Sequence, residues 1–230
     1  MRDYIGPLPP HGQIFDFLPA TDHRRLLDFV RESRAGFVPA TVTAGQVGDT
    51  VVVDPKVRVA LSTDKPGAVG AMLEDRFRSA LDTVAAVAGY RGPAPVSLDI
   101  EIVAYGDGAH YVPHIDITTG PGRTPVGRNA GEDRVISAVY YFHNLPRGFS
   151  GGQLRLYRFG AVSAEAAADP DNFVDFEPTD NSLVVFPSWV RHEVRPVRCP
   201  DGRFDHYRYA VNCWYCRELA PPAGAEPVAG

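Results

Sequence analysis

A chain of 230 residues with 44% apolar content can bury one sizeable core, and its 22 Gly and 21 Pro favour many turns over long helices, as in a β-sandwich or barrel with additions. The formal charge of −5, with acids and bases interspersed, suggests neither a nucleic-acid groove nor a membrane-surface patch; it points to a small or neutral partner and leaves the oligomeric state open. No segment reads as a signal peptide or reaches the roughly 18 apolar residues of a membrane span, so the expected location is cytoplasmic.

Residues 1–19 are punctuated by Pro and Gly, with a candidate edge strand at Ile14-Phe15-Asp16-Phe17-Leu18. Thr21 or Asp22 is placed to cap a helix whose apolar Leu26, Leu27 and Val30 recur at helical spacing. Residues 41–48 read as loop, and Val51–Val53 and Val57–Leu61 as strands around the Asp54-Pro55 turn. From Val69 to Ala88, Met72, Leu73, Phe77, Leu81, Val84 and Val87 repeat at helical intervals, predicting one amphipathic helix that Gly89 ends. Both helices precede the β-rich part, so no alternating β-α pattern and no parallel sheet is expected.

Beyond Val96 the chain reads as strands over 97–105, 134–142, 153–157, 182–186, 192–197 and 204–215, separated by Gly-, Pro- and Asp-containing turns. The expected fold is mainly β with flanking α-helices: a double-stranded β-helix, or jelly roll, with the N-terminal helices packed on the major sheet. One domain is expected over 1–230, with 1–95 as support, 96–218 as the jelly-roll core and 219–230 as a disordered Pro/Ala/Gly-rich tail. The loop 118–133, which carries Arg123 and Arg128, is a candidate substrate-facing segment, and 160–172 is a second insertion with a short helix. Cys199, Cys213 and Cys216 are odd in number, which argues against a disulfide framework. Cys213 and Cys216 have the C-x-x-C spacing, but a β-type run sends them to opposite faces and no second such pair exists.

The chemistry centres on His110-Tyr111-Val112-Pro113-His114-Ile115-Asp116. Alternate side chains of a strand share a face, so His114 and Asp116 can share one metal ion. His192, in Ser188-Trp189-Val190-Arg191-His192-Glu193-Val194, is the best third ligand. Two imidazoles and one carboxylate with open positions opposite is the arrangement used for non-heme Fe(II) oxygen activation. Pro200-Asp201-Gly202 reads as a three-residue hairpin loop closed by Cys199 and Arg203, which places His192 opposite Ala210 and Arg208 diagonally beside it. A buried guanidinium there fits a dicarboxylate whose other end chelates the metal.

At this point the chain resembles an iron- and 2-oxoglutarate-dependent dioxygenase of the prolyl 4-hydroxylase-like group. The resemblance rests on Tyr105 through Tyr111 to His114-Ile115-Asp116, on Arg134 to Phe142, on Ser150 to Tyr157, on Phe186-Pro187-Ser188, on His192 to Val197 and on Arg208 to Tyr215. Val53 to Ala60 and the helix before it also resemble the N-terminal part of these hydroxylases. It implies His114, Asp116 and His192 as iron ligands, Arg208 as partner of the distal carboxylate of 2-oxoglutarate, Tyr141 as a second partner and Tyr105 as a pocket wall. It also implies O2 as cosubstrate, ascorbate as a reductant, and hydroxylation of an unactivated C–H bond with release of succinate and CO2. The expected substrate is an amino acid, a prolyl residue or a specialised-metabolite precursor. Related halogenases lack the carboxylate, so Asp116 implies hydroxylation over halogenation.

Arg208 follows His192 by 16 positions, further than the family interval, and the surplus falls around Pro200-Asp201-Gly202. Arg203, at 11 positions, is the rival. His11, His23, His143 and His206 read as surface or locally bonded residues, with His110 a candidate for substrate contact. The residues alone also admit a metal-dependent hydrolase or isomerase using zinc or manganese, and a non-catalytic jelly-roll binding module.

Overall fold

The computed structural model describes residues 5–44, 50–117 and 131–219. Most of the expected loop 118–133, with Arg123 and Arg128, and the tail from 220 lie outside the described residues. In chain order the elements are β1 (Gly12–Phe15), α1 (Ala20–Glu32), β2 (Val38–Pro39), β3 (Val42–Ala44), β4 (Thr50–Val52), β5 (Arg58–Val59), β6 (Leu61–Thr63), α2 (Ala68–Ser79) and α3 (Leu81–Val87). They continue with β7 (Ser97–Tyr105), β8 (His110–His114), β9 (Glu132–Phe142), β10 (Ser150–Gly151), β11 (Leu154–Tyr157), α4 (Ala164–Ala168), β12 (Phe173–Phe176), β13 (Ser182–Pro187), β14 (His192–Val194), β15 (Val197–Arg198) and β16 (Arg208–Glu218). None of the described helices is long and apolar enough to cross a membrane.

A seven-stranded sheet has the order β1-β13-β9-β16-β7-β6-β2, and a five-stranded sheet the order β12-β11-β14-β8-β5. Every ladder in the two is antiparallel, as the absence of β-α alternation predicts. The larger sheet is buried on both faces, which explains its long apolar runs. Period-two alternation sorts them. Ile102, Tyr140, Phe142 and Val211 pack with Leu26, Val30, Leu73 and Phe77 of α1 and α2. Val103, Tyr105, Val139, Tyr141 and Ala210 instead face Leu154, Leu156 and Val194 of the smaller sheet. Burying each large apolar side chain contributes about 1.5–3 kcal/mol, so the helical layer is what makes the first face tenable. Two tyrosines on that face also find polar partners: Tyr215 donates to Phe77 O at 2.7 Å, and Tyr140 to Asn181 Oδ1 at 2.9 Å. The mainly-β architecture with helices on the major sheet agrees with the expectation.

Several local expectations need correction. α1 begins after Pro19 with no side-chain cap. Asp22 instead accepts from Arg76 Nε and Nη2 at 3.0 and 2.9 Å, tying α1 to α2. The 69–88 stripe is two helices broken at Ala80, although Gly89, at φ +61°, ends the second as predicted. Residues 42–44, read as loop, form β3 and pair with β4. The strand expected over 57–61 is divided at Ala60, so that β5 joins the smaller sheet and β6 the larger.

The hairpin around Pro200-Asp201-Gly202 is the correction that matters for the site. Gly202 does take φ +61°, and its N–H donates to Cys199 O at 2.9 Å. However, residues 199 and 203 close no ladder. β15 pairs with β10 in a separate two-stranded sheet, whereas β16 lies between β7 and β9 in the seven-stranded one. Phe204, buried against Phe37 and Tyr209, anchors a single turn of 3-10 helix over Phe204–His206 that carries the chain across. Ala210 therefore sits opposite Val103 and Tyr141 rather than His192, and Arg208 sits opposite Tyr105.

Candidate metal centre and its pocket

β14 runs antiparallel to β8 with His192 directly opposite His114, so the two imidazoles meet with ring centroids 4.1 Å apart. β8 ends at His114, and Asp116 lies just beyond it rather than on the strand. Its carboxylate still reaches both rings. Oδ1 is 3.6 Å from His114 Nε2, Oδ2 is 3.4 Å from His192 Nε2, and the three donor groups lie within 4.8 Å of one another. Each ring is oriented from behind, as His114 Nδ1–H donates to Val112 O and His192 Nδ1–H to Val190 O, both at 2.8 Å. A carbonyl can only accept, so Nδ1 carries the proton and the Nε2 lone pair faces the cluster.

Burial pushes the His114 imidazole down to about 3, with the neighbouring His192 acting in the same direction, which keeps its lone pair available at neutral pH. Burial alone would raise Asp116, but His192, His114, Arg134 and the Ser137 hydroxyl outweigh it and hold the carboxyl at about 2. A neutral imidazole beside a permanent carboxylate is the protonation state a divalent cation requires.

Arg208 is 1% exposed and projects from the larger sheet. Its Nε donates to Gly152 O at 2.9 Å, and its guanidinium lies 4.7 Å from the Tyr105 ring and 4.8 Å from the Tyr141 ring. Arg208 Nη2 and the Tyr141 hydroxyl are both buried without a hydrogen-bond partner. Burial pushes the Tyr141 hydroxyl up, with the Arg208 charge acting against it, so it stays protonated and able to donate. Two orphaned donors around a fixed cation form a cradle for an anion. Arg203, the rival, is exposed and paired with Asp205 at 2.6 Å.

Gly152 makes the Arg208 geometry possible. It sits at φ +72°, and a Cβ there would lie 2.9 Å from Arg208 Cδ and 2.8 Å from Val197 Cγ2. Gly152→Ala is expected to cost about 1–2 kcal/mol from backbone conformation alone and to displace the guanidinium. A lower melting temperature together with weakened 2-oxoglutarate binding in calorimetry checks this; unchanged binding would refute the packing argument.

One cavity of about 740 Å³ is lined by His114, Asp116, His192, Arg208 and Tyr105 together. Tyr141 is not among its lining residues, although its ring lies 4.8 Å from the Arg208 guanidinium. The wall away from Arg208 carries two ion pairs. Arg58 Nη2 donates to Glu101 Oε2 at 2.9 Å, and Arg134 Nη2 donates to Asp99 Oδ2 at 2.5 Å while stacking on Trp214. His110, the candidate for substrate contact, does not line the cavity; its Nδ1 bonds Gly108 O. His11, His143 and His206 are locally bonded, as expected, whereas His23 reaches across the fold to the Tyr140 hydroxyl at 2.8 Å and to Asp180 at 3.3 Å.

A family model described as the 2OG-Fe(II) oxygenase superfamily matches residues 100–216, just over half the chain, and spans His114, Asp116, His192, Arg208, Tyr105 and Tyr141. The chain belongs to the 2OG-Fe(II) oxygenase superfamily. An uncharacterized PKHD-type hydroxylase of Synechocystis is 26% identical over 211 residues, which cover 91% of this chain and 64% of the relative. The chain thus spans under two thirds of the length of that relative. A prolyl-4-hydroxylase from Pseudomonas putida shares the fold with a TM-score of 0.60 at 22% identity, covering 92% of this chain and 94% of that one. A Trichoplax adhaerens prolyl hydroxylase, solved with a hypoxia inducible factor peptide fragment, gives a TM-score of 0.61 at 20% identity, covering 90% and 83%.

Superfamily membership and the two-histidine, one-carboxylate cluster imply Fe(II) and 2-oxoglutarate. The residues present fit both groups: two oriented imidazole lone pairs and a carboxylate suit the cation, and the unpartnered Arg208 Nη2 and Tyr141 hydroxyl suit a carboxylate. The sequence pattern assigned no role to Ser137 or Ser188, although both lie in segments that carry the resemblance. Ser137 Oγ donates to Asp116 Oδ2 at 2.7 Å and lies 2.9 Å from Ser188 Oγ. The signal was present as a polar residue inside the apolar run Val135–Phe142, where an unpartnered hydroxyl would be costly. The ion pairs Arg58–Glu101 and Arg134–Asp99 join residues distant in sequence, and no spacing announces them.

Proposed function

We propose that this protein is an Fe(II)- and 2-oxoglutarate-dependent hydroxylase. His114, Asp116 and His192 hold the iron, Arg208 with Tyr141 holds the far carboxylate of 2-oxoglutarate, and Tyr105 forms a wall of the pocket. The observation that carries this reading is that the metal-competent cluster and the buried Arg208, with its unsatisfied Nη2 donor, line one cavity. Bound together, the metal and cosubstrate supply O2 activation for C–H hydroxylation, with succinate and CO2 as coproducts. The chain's own residues do the remaining work. The backbone carbonyls of Val112 and Val190 fix the tautomers, Arg208 sets the reach of the cosubstrate, and the aromatic rings around it exclude water.

For the substrate we propose a prolyl residue in a peptide, with a free amino acid as the alternative. Each wall ion pair sets guanidinium N–H donors beside carboxylate lone pairs, the complement of an amide. Asp99 and Glu101, two residues apart on one face of β7, are about 7 Å from each other, which matches the repeat of an extended peptide. The Trichoplax relative, a prolyl hydroxylase that holds a peptide, adds support. None of the three cysteines is disulfide-bonded and all are buried, which fits a reducing compartment such as the cytoplasm.

Anaerobic titration with Fe(II) and then 2-oxoglutarate tests the assignment. A visible metal-to-ligand charge-transfer band is expected, and proline-containing peptides should stimulate succinate release above free amino acids. A protein that binds metal without developing the band would be a non-oxidative metalloenzyme, and one in which His114→Ala leaves ligand binding intact would be a binding module.

A further inference from the structure

Asp116 has a support problem that the two histidines do not share. Both imidazoles stand on paired strands, in register with each other, whereas the β8 ladder ends at His114 and leaves Asp116 outside it. Four hydrogen bonds take the place of the ladder. Ser188 O accepts from the backbone N–H groups of Asp116 at 2.9 Å and Ile117 at 3.3 Å, Ser188 N–H donates to Val135 O at 3.1 Å, and Ser137 Oγ reaches the carboxylate itself.

Both hydroxyls are fully buried, so neither can turn to water. An ionised carboxylate only accepts, so Ser137 must spend its one proton on Asp116 Oδ2, and the bond between the two hydroxyls must then run from Ser188 to Ser137. The direction of the chain is thereby set: Ser188 O–H to Ser137 Oγ, then Ser137 O–H to Asp116 Oδ2. Two residues past Ser188, in the same turn, Val190 O orients His192. A single turn after β13 therefore steadies two of the three cluster residues.

Resting on the metal-site reading above, we propose that Ser137 and Ser188 are positioning residues. Their two-hydroxyl relay engages Oδ2 of Asp116 and leaves Oδ1 as the ligand oxygen, so that the carboxylate binds the metal through one oxygen and a coordination position stays open.

Co(II) titration of the full chain tests this without turnover, because the visible d–d spectrum of Co(II) reports coordination number and carboxylate mode. Ser137→Ala is expected to weaken Co(II) binding about 10–100-fold, the usual cost of losing an outer partner of a ligand, to speed its dissociation and to shift the d–d bands. Ser137→Thr, which keeps the hydroxyl, should restore all three. Ser188→Ala should shift the bands in the same direction by less. Melting of each metal-free variant reads folding separately; if Ser137→Ala does not melt cooperatively, Ser188→Ala decides the matter by its spectrum. Wild-type affinity, dissociation and bands in these alanine variants would overturn the relay, as would a cooperatively folded Ser137→Thr that behaves like Ser137→Ala. Failure of the wild-type chain to bind Co(II) would instead sink the metal-site reading.

Discussion

Replacing His192 by alanine is expected to lower succinate formation by at least about three orders of magnitude, the scale of removing several kcal/mol of metal-derived stabilisation. The reason lies in the geometry. His192 is 4% exposed, sits opposite His114 in register and directs Nε2 at Asp116 from 3.4 Å, and among the described residues His114, Asp116 and His192 form the ligand cluster with no fourth member to replace it. The variant should fold, because truncation relieves a buried polar ring rather than an apolar anchor. Circular dichroism of the metal-free protein together with Fe(II) binding by equilibrium dialysis separates the two effects: native secondary structure with lost metal is the expected pair. A variant that keeps more than a tenth of wild-type turnover would show that the reaction does not depend on this imidazole.

Arg208→Ala is expected to weaken 2-oxoglutarate binding by on the order of 3 kcal/mol, about two orders of magnitude in affinity, as when one side of a buried charged pair is truncated. Arg208→Lys should recover only part of this. The ammonium keeps the charge but loses both the planar fork and the stacking between the Tyr105 and Tyr141 rings. Fe(II) affinity in the absence of cosubstrate should be unchanged in both variants, since Arg208 lies on the opposite sheet from both histidines. The test is the amplitude of the charge-transfer band against 2-oxoglutarate concentration. Wild-type saturation in Arg208→Ala would mean that the cradle is not where the far carboxylate sits.

Most strands from Ser97 onward were legible because period-two alternation and turn residues are local signals, but Phe173–Phe176 was missed and residues 204–206 form a 3-10 turn instead of strand. His114, Asp116 and His192 were legible because few chemistries need those residue types together. What failed was long-range. Reading Cys199 to Arg203 as a closed hairpin assumed that consecutive strands pair, whereas the chain leaves one sheet for the other once Phe204 finds its pocket against Phe37. Arg208 reached the cavity all the same, by pairing with β7 rather than with the histidine strand. The break at Ala80 was hidden because its stripe of apolar residues remains continuous across it. The missing side-chain cap of α1 had a different cause: Asp22 is drawn into an ion pair with Arg76, a contact between helices that a local capping rule does not see.

The two imidazoles belong to the smaller sheet and Arg208 to the larger, so a cosubstrate gripped at both ends would act as a rivet through the sandwich. Prising the layers apart would eject it, and occupancy would resist that separation in proportion to RT ln(1 + [L]/Kd). Retention of a small molecule and the gap between two protein layers would then be one variable. Side chains such as Val103 and Leu156, which fill that gap without touching the chemistry, would tune both at once.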